Sequence, residues 1–166
     1  EIGRLSLTFN QMMEGIAERE EKIAYQARHD IVTGLPNRVA FEAHIAGLIL
    51  SPLEGSGGRV TVALIQVTRF SEINNTLGHD TGDQLMRKIS QTLKQTVPPG
   101  TFIARHSNNL FALSLVVADD EHEHAALEHI MASFSDPVEI AGSNIDVSMV
   151  AGIDRQSTRL NSSHTD

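Results

Sequence analysis

Apolar side chains recur at intervals of three and four residues along the first 28 positions, with one gap near Arg19. This spacing places one stripe on a single side of a helix, as in the seam of a coiled coil. The stripe consists of Ile2, Leu5, Phe9, Met12, Ile16, Ile23 and Ala27. The pattern predicts one helix over residues 2–28 that pairs with a second copy of the chain, which makes the protein a homodimer through its N-terminal helix.

From residue 30 onwards, short apolar runs rich in β-branched residues alternate with longer amphipathic segments. The periodicities predict helices over 38–50, 79–96 and 119–134, a linker over 51–59, a polar stretch over 72–78, and strands over 60–67, 102–106, 110–117, 138–140 and 145–153. Strands 102–106 and 110–117 flank turn-forming residues and read as a β-hairpin. Alternation around one central hairpin predicts an α/β (α+β) sandwich of the ferredoxin-like kind, with a mostly antiparallel sheet, flanking helices and a long N-terminal helix.

Charge and composition narrow the class of partner. The net charge is −8, and no basic stripe is present that would bind the phosphates of DNA or RNA or an anionic membrane surface. No apolar run approaches the roughly 20 residues that span a bilayer. The chain has no cysteine, which agrees with a reducing compartment. We therefore expect a soluble fragment with no nucleic-acid partner and no direct membrane contact.

Two long motifs carry a family resemblance. The segment Asp30-Ile-Val-Thr-Gly-Leu-Pro-Asn-Arg38, followed by Phe41, resembles the D-x-L-T-G-L-x-N-R-x-x-F segment of GGDEF domains. The block from Phe70 to Asp83, F-S-E-I-N-N-T-L-G-H-D-T-G-D, resembles F-K-x-I-N-D-x-x-G-H-x-x-G-D of the same family. The resemblance implies a nucleotide-cyclase-type fold and a role in bacterial cyclic-di-GMP signalling.

Further resemblances suggest how the chain is organised. Residues 1–29 are similar to the end of a HAMP domain and its signalling helix, and residues 30–153 correspond to a GGDEF-like domain that lacks its C-terminal part. Residues 133–153 resemble GGDEF domains that precede EAL phosphodiesterase domains, so an EAL domain is expected downstream. The first residue is Glu1 within a helical pattern, and we expect more chain upstream. The implied location is the cytoplasmic side of a bacterial inner-membrane protein.

The last residues, 154–166, are polar and lack periodicity. Within them, residues 157–164 resemble the translated read-through of a sequencing adapter. We therefore interpret 154–166 as a non-native tail.

Active GGDEF domains condense two GTP molecules into cyclic-di-GMP with Mg²⁺, a hard cation that prefers anionic oxygen ligands. The resemblance puts the family's two metal carboxylates at Gln66 and Asn109, and the second Asp of the first motif at Thr68. The G-G-D-E-F hairpin is replaced by Ser107, Asn108, Asn109, Leu110 and Phe111. The resemblance therefore implies a degenerate catalytic loop and no metal site, with Mg²⁺ relevant only if the domain is active.

Two other family sites differ in how well they are retained. The product-inhibition motif R-x-x-D falls on Pro98 and Thr101, so that site is absent. The residues that bind the guanine base in the family, Asn74 and Asp83, are present in an intact motif. The resemblance thus implies a vestigial GTP site.

Simpler interpretations stay open for several of these residues. Asn74 and Asp83 are also residue types that cap helices, and Asn37 is a natural cap for the helix from residue 38. His79 is expected to be a packed, hydrogen-bonded residue. His122, His124 and His129 lack the spacing of a paired helical metal site.

The leading hypothesis is a catalytically degenerate GGDEF domain that acts as a regulatory or GTP-sensing module. One alternative is an active diguanylate cyclase with unconventional metal ligands. The other is a dimerisation spacer that binds no nucleotide.

Overall fold

The computed structural model describes residues 1–50 and 58–154. Most of the predicted linker at 51–59, and the predicted tail after residue 154, lie outside the described residues. The helices are α1 (Ile2–Arg28), α2 (Arg38–Leu50), α3 (Phe70–Leu77), α4 (His79–Thr96) and α5 (Asp120–Ala132). The strands are β1 (Arg59–Val67), β2 (Phe102–Ser107), β3 (Leu110–Val117), β4 (Val138–Ile140), β5 (Ser143–Ile145) and β6 (Met149–Asp154).

The main sheet has four strands in the order β2-β3-β1-β6, and every pair is antiparallel. Strand β1 lies between β3 and β6, with Ile65 opposite Phe111 on one side and Ala151 on the other. Strands β4 and β5 form a separate hairpin. The predicted α/β sandwich with an antiparallel sheet is confirmed.

Both faces of the sheet are covered by helices. On one face, Ala63, Ile65 and Val67 of β1 pack in a core that includes Leu85 and Ile89 of α4, because alternate residues of a strand point to the same side. On the other face, a smaller cluster joins Phe41 and Ile45 of α2 to Ala104 and Ala112. The loops at the end of β1 therefore emerge between two packed layers.

Helix α1 differs from the rest because none of its residues is buried. Its apolar stripe is exposed to solvent, from 47% at Ile16 to 86% at Ile2. The helix predicted over residues 2–28 is confirmed. No helix in residues 1–50 and 58–154 has the length and apolar character needed to cross a membrane.

The polar stretch at 72–78 lies largely in helix α3, where Phe70 and Ile73 pack into the core. One local prediction was wrong. The strand predicted over 145–153 is two strands, β5 and β6. Between them, the carbonyl of Ser148 accepts hydrogen bonds from the backbone N–H and the hydroxyl of Thr68, at 2.8 and 2.9 Å. Burial alternates without interruption across this break, so the sequence pattern does not reveal it.

Candidate functional site

A cleft of about 520 Å³ opens between the tip of the β2–β3 hairpin and helices α3 and α4. One side, here called the helix wall, consists of Asn74, His79 and Asp83. The other side, here called the hairpin wall, consists of Ser107, Asn108 and Asn109. The fold therefore brings the two candidate base-binding residues together with the tip of the hairpin.

Asn74 and Asp83 of the helix wall do not cap helices. Asn74 lies within α3 and Asp83 lies in the second turn of α4, whose N-cap is Gly78. The capping interpretation of both residues is wrong. The side-chain oxygen of Asn74 is buried and has no hydrogen-bond partner among the described residues. A buried acceptor without a partner costs about 1–3 kcal/mol, and this oxygen is packed against Gly82 of α4.

Gly82 is a packing position beside the candidate site that sequence reasoning did not single out. It is buried in α4, and a Cβ there would overlap the side-chain oxygen of Asn74 and approach Phe70 to 3.3 Å. Glycine inside a helix is disfavoured by about 1 kcal/mol relative to alanine, so its presence signals a packing need. Gly82 provides the space in which the Asn74 amide lies.

In the hairpin wall, Asn109 is bound to the end of β1 at two points. Its side-chain amide donates to the carbonyl of Val67 at 3.1 Å, and its carbonyl accepts from the backbone N–H of Val67 at 2.8 Å. Ser107 and Asn108 are exposed. Gln66 is also exposed and pairs with Leu110, but neither residue lines the cleft.

The side chains of the hairpin wall do not fit Mg²⁺. The hairpin wall contains no carboxylate, and the Asn109 amide directs its nitrogen, a donor, at the carbonyl of Val67. Within residues 1–50 and 58–154, no group of three or more His, Cys, Asp or Glu side chains could hold a metal ion. Mg²⁺ is usually bound through one or two carboxylates together with substrate phosphates.

Arg105 supports the hairpin wall from behind. It is only 7% exposed, and it donates to the Asp30 carboxylate at 3.0 Å and to the carbonyl of Asn108 at 2.8 Å. The sequence patterns assigned no role to this arginine. Its position opposite Asp30 depends on a contact between residues 75 apart, which no local pattern reveals.

The Asp30 carboxylate is held in its charged form. Burial by itself would raise the pKa of Asp30, but hydrogen bonds from the hydroxyl and backbone N–H of Thr33, together with Arg105, outweigh burial and lower it. The two Thr33 bonds measure 2.7 and 2.8 Å. The Asp30 charge is therefore largely offset within the protein.

The loop between α1 and α2 joins the long helix to this site. Asn37 accepts from the backbone N–H of Ala40 at 3.1 Å, so the prediction that it caps α2 is confirmed. Its amide also donates to the carbonyl of Ala27 at the end of α1, at 3.0 Å. The next residue back, Pro36, accepts from the backbone N–H of Arg105 at 2.9 Å.

Of the other residues singled out from the sequence, His79 lines the cleft and the rest lie outside it. Pro98 and Thr101 form a turn after α4, in which the Thr101 hydroxyl donates to the Pro98 carbonyl at 2.7 Å. His79 is exposed at the start of α4, so the expectation of a packed histidine is wrong. His122 and His124 are exposed and pair with acids on or next to α5.

The fold and the cleft define a nucleotide-cyclase-like α/β domain, and the comparisons specify its family. The sequence profile described as "Diguanylate cyclase, GGDEF domain" matches residues 27–165. The chain belongs to the GGDEF domain family.

Two curated relatives come from Pseudomonas aeruginosa. The diguanylate cyclase TpbB is 28% identical over 162 residues, which is 92% of this chain and 37% of TpbB. The cyclic di-GMP phosphodiesterase NbdA is 26% identical over 145 residues, which is 87% of this chain and 18% of NbdA. The chain thus spans much less than two thirds of either relative.

Solved structures agree with the fold. The coiled coil and GGDEF domain of DgcB from Caulobacter crescentus, in complex with c-di-GMP, has a TM-score of 0.74 at 26% identity and matches 91% of this chain and 80% of that one. The GGDEF domain of TpbB has a TM-score of 0.69 at 30% identity, covering 75% of this chain and 73% of that one.

Proposed function

We propose that this chain is a catalytically degenerate GGDEF domain that binds GTP and acts as a regulatory module in cyclic-di-GMP signalling. The observation that carries the proposal is the contrast between the two walls of the cleft. The helix wall presents the Asn74 amide and the Asp83 carboxylate to the cleft. The hairpin wall is neutral and presents Asn109 where the family pattern has a metal carboxylate.

The Asn74 amide and the Asp83 carboxylate suit a guanine base. Guanine presents N–H donors on one edge, and a carboxylate accepts such donors, while an amide can accept and donate. A site that hydrogen-bonds a base discriminates strongly against ligands that leave its polar groups unpaired. This chemistry favours guanine nucleotides over adenine nucleotides.

Loss of catalysis follows from the hairpin wall. Condensation of GTP needs a cation that neutralises phosphate charge and activates a hydroxyl. Ser107, Asn108 and Asn109 provide no anionic ligand, and the Asn109 amide already contacts Val67. We propose that the domain forms no cyclic-di-GMP.

A regulatory role is supported by the hydrogen bonds that connect α1 to the cleft. Asn37 contacts the end of α1, its neighbour Pro36 contacts Arg105, and Arg105 contacts Asn108 in the hairpin wall. A nucleotide in the cleft and a displacement of α1 would therefore bias the same set of contacts. Coupling of this kind is reciprocal, so each event alters the other.

The N-terminal helix is proposed to pair in parallel with a second copy of the chain. All its stripe positions are exposed, and their three-four spacing fits a coiled-coil seam. Sedimentation equilibrium should give a dimer for the chain and a monomer for Met12→Glu, whereas Met13→Glu, outside the stripe, should remain a dimer. A monomeric unmodified chain would refute the pairing.

In the whole protein, we propose that residues 1–29 end a HAMP-type relay on the cytoplasmic side of a bacterial inner membrane, and that an EAL domain follows the GGDEF domain. The phosphodiesterase name of NbdA supports an association of such domains with cyclic-di-GMP turnover. The DNA downstream of codon 153 tests this directly, because an EAL reading frame is expected there. The same DNA would show whether residues 154–166 are genuine.

Calorimetry with GTP, together with an assay for cyclic-di-GMP, tests the main proposal. GTP should bind, ATP should not, and no cyclic-di-GMP should form in Mg²⁺. Asp83→Asn should weaken GTP binding by about tenfold, since one hydrogen-bonded charge contributes about 1.5–3 kcal/mol. Asp80→Asn, an exposed change three residues earlier on α4, should bind as the unmodified chain does.

Other results would favour the alternative functions. Cyclic-di-GMP formation that Asp83→Asn abolishes would indicate an active cyclase with unconventional ligands. An absence of heat at millimolar GTP would indicate a dimerisation spacer.

A further inference from the structure

We infer that the cleft binds a guanine nucleotide without a divalent cation. This inference rests on the proposed function, because it concerns how the same cleft accommodates the phosphate end of GTP. Its physical basis is the hairpin wall, whose contacts and charge differ from those of a metal-phosphate site.

The first observation concerns the carbonyl of Val67 at the end of β1. A cation that took this oxygen as a ligand would compete with the Asn109 side chain, which already donates to it at 3.1 Å. The backbone hydrogen bond between the same two residues, at 2.8 Å, keeps them in register. A cation here would have to displace an amide donor and would gain only neutral ligands in return.

The second observation concerns charge across the cleft. Ser107, Asn108 and Asn109 are neutral, and all three side chains can donate hydrogen bonds to phosphate oxygens. The two carboxylates that line the cleft are Asp30 and Asp83. The first is paired with Arg105 and hydrogen-bonded by Thr33, and the second lies on the helix wall.

A fixed carboxylate beside a phosphate repels it unless a cation lies between them, because like charges at a few Å interact strongly in a partly buried site. The hairpin wall has no such carboxylate. Phosphates placed against the hairpin wall therefore meet donors without repulsion, and that wall offers Mg²⁺ no carboxylate to bridge. We expect the Kd for GTP to differ by less than about threefold between excess EDTA and excess Mg²⁺.

Calorimetry of the full chain with GTP, in EDTA and in MgCl₂, tests the inference. Three isosteric variants that each create a carboxylate complete the design. Asn109→Asp removes the donor to Val67 and adds charge to the hairpin wall. Asn108→Asp adds charge at an exposed side chain, so it keeps the test valid if Asn109→Asp fails to fold. Asn144→Asp is the matched control, because Asn144 is exposed in the β4–β5 hairpin.

In EDTA, Asn108→Asp and Asn109→Asp should weaken GTP binding by about tenfold or more, and Mg²⁺ should restore part of the loss. Asn144→Asp should bind as the unmodified chain does in both buffers. Binding of GTP to the unmodified chain only in Mg²⁺ would overturn the inference and leave the proposed function intact. No binding in either buffer would overturn both.

Discussion

The two walls of the cleft keep their shapes by different physical means. The helix wall depends on close packing, because the Asn74 amide lies in the space left by the absent side chain of Gly82. The hairpin wall depends on hydrogen bonds to main-chain atoms, from Arg105 to the carbonyl of Asn108 and from Asn109 to Val67. One wall is therefore sensitive to side-chain volume, and the other is not.

Because of this difference, residue types in the hairpin can vary while the hairpin keeps its place. Arg105 binds a carbonyl, which every residue type has, so residue 108 can change without loss of that contact. Strand pairing through β3 likewise uses main-chain groups. On the helix wall, a change at Gly82 has no such latitude. We therefore expect the helix wall to tolerate substitution less well than the hairpin wall. The exception is Arg105, which supports the hairpin wall.

The largest expected effect comes from that arginine. Arg105→Ala should lower the free energy of unfolding by about 3 kcal/mol, because it leaves the Asp30 charge without its partner and empties a buried site. Urea unfolding measures this loss. Arg38→Ala, which removes one partner of an exposed ion pair with Glu42, should cost less than about 1 kcal/mol. Equal losses in the two variants would contradict the role given to Arg105.

Gly82→Ala should have the next largest effect. Overpacking against Asn74 and Phe70 should lower the free energy of unfolding by about 1–3 kcal/mol and also weaken GTP binding. The control is Gly47→Ala in α2, where no described atom lies within 4 Å of the added Cβ. That change should be neutral or should stabilise by up to about 1 kcal/mol, from helix propensity. A stabilised Gly82→Ala protein would show that the helix wall has spare room.

The Asp30 carboxylate gives a smaller, pH-dependent effect. Because its pKa is lowered in the folded state from a reference value of 3.8, its contribution to stability is present above that value and is lost as pH falls through the folded-state pKa. Urea unfolding from pH 6 to pH 2 should show a steeper loss for the unmodified chain than for Asp30→Asn. At pH 7, the variant should be about 1 kcal/mol less stable. Parallel pH profiles would contradict this assignment.

The smallest effect is expected at Gln66. Its side chain is exposed, so Gln66→Glu should change the free energy of unfolding by less than about 0.5 kcal/mol. Because the hairpin wall stays neutral, this single carboxylate should not produce cyclic-di-GMP from GTP in Mg²⁺. Measurable product from this variant would contradict the proposal that the hairpin wall cannot support catalysis.

Much of the architecture follows from local pattern. The three-four spacing before residue 28 and the β-branched run from residue 60 each specify one element type, since burial of a stripe or a face repeats with that period. The pattern misleads where the same alternation of buried and exposed residues continues across two separate strands. The alternating burial from Ile145 to Met149 continues through the break between β5 and β6, and only the hydrogen bonds of Ser148 with Thr68 reveal it.

The sequence by itself determined most of the elements and their order, the apolar stripe of α1 and the neutral residues of the hairpin, because these depend on residue type and spacing along the chain. The tertiary structure alone decided that Arg105 binds Asp30, that Gly82 makes room for Asn74 and that the Asn109 amide binds Val67. These contacts join residues that are 75, 8 and 42 positions apart. Such contacts depend on how helices and strands pack in three dimensions, which the periodicity of a single segment does not encode.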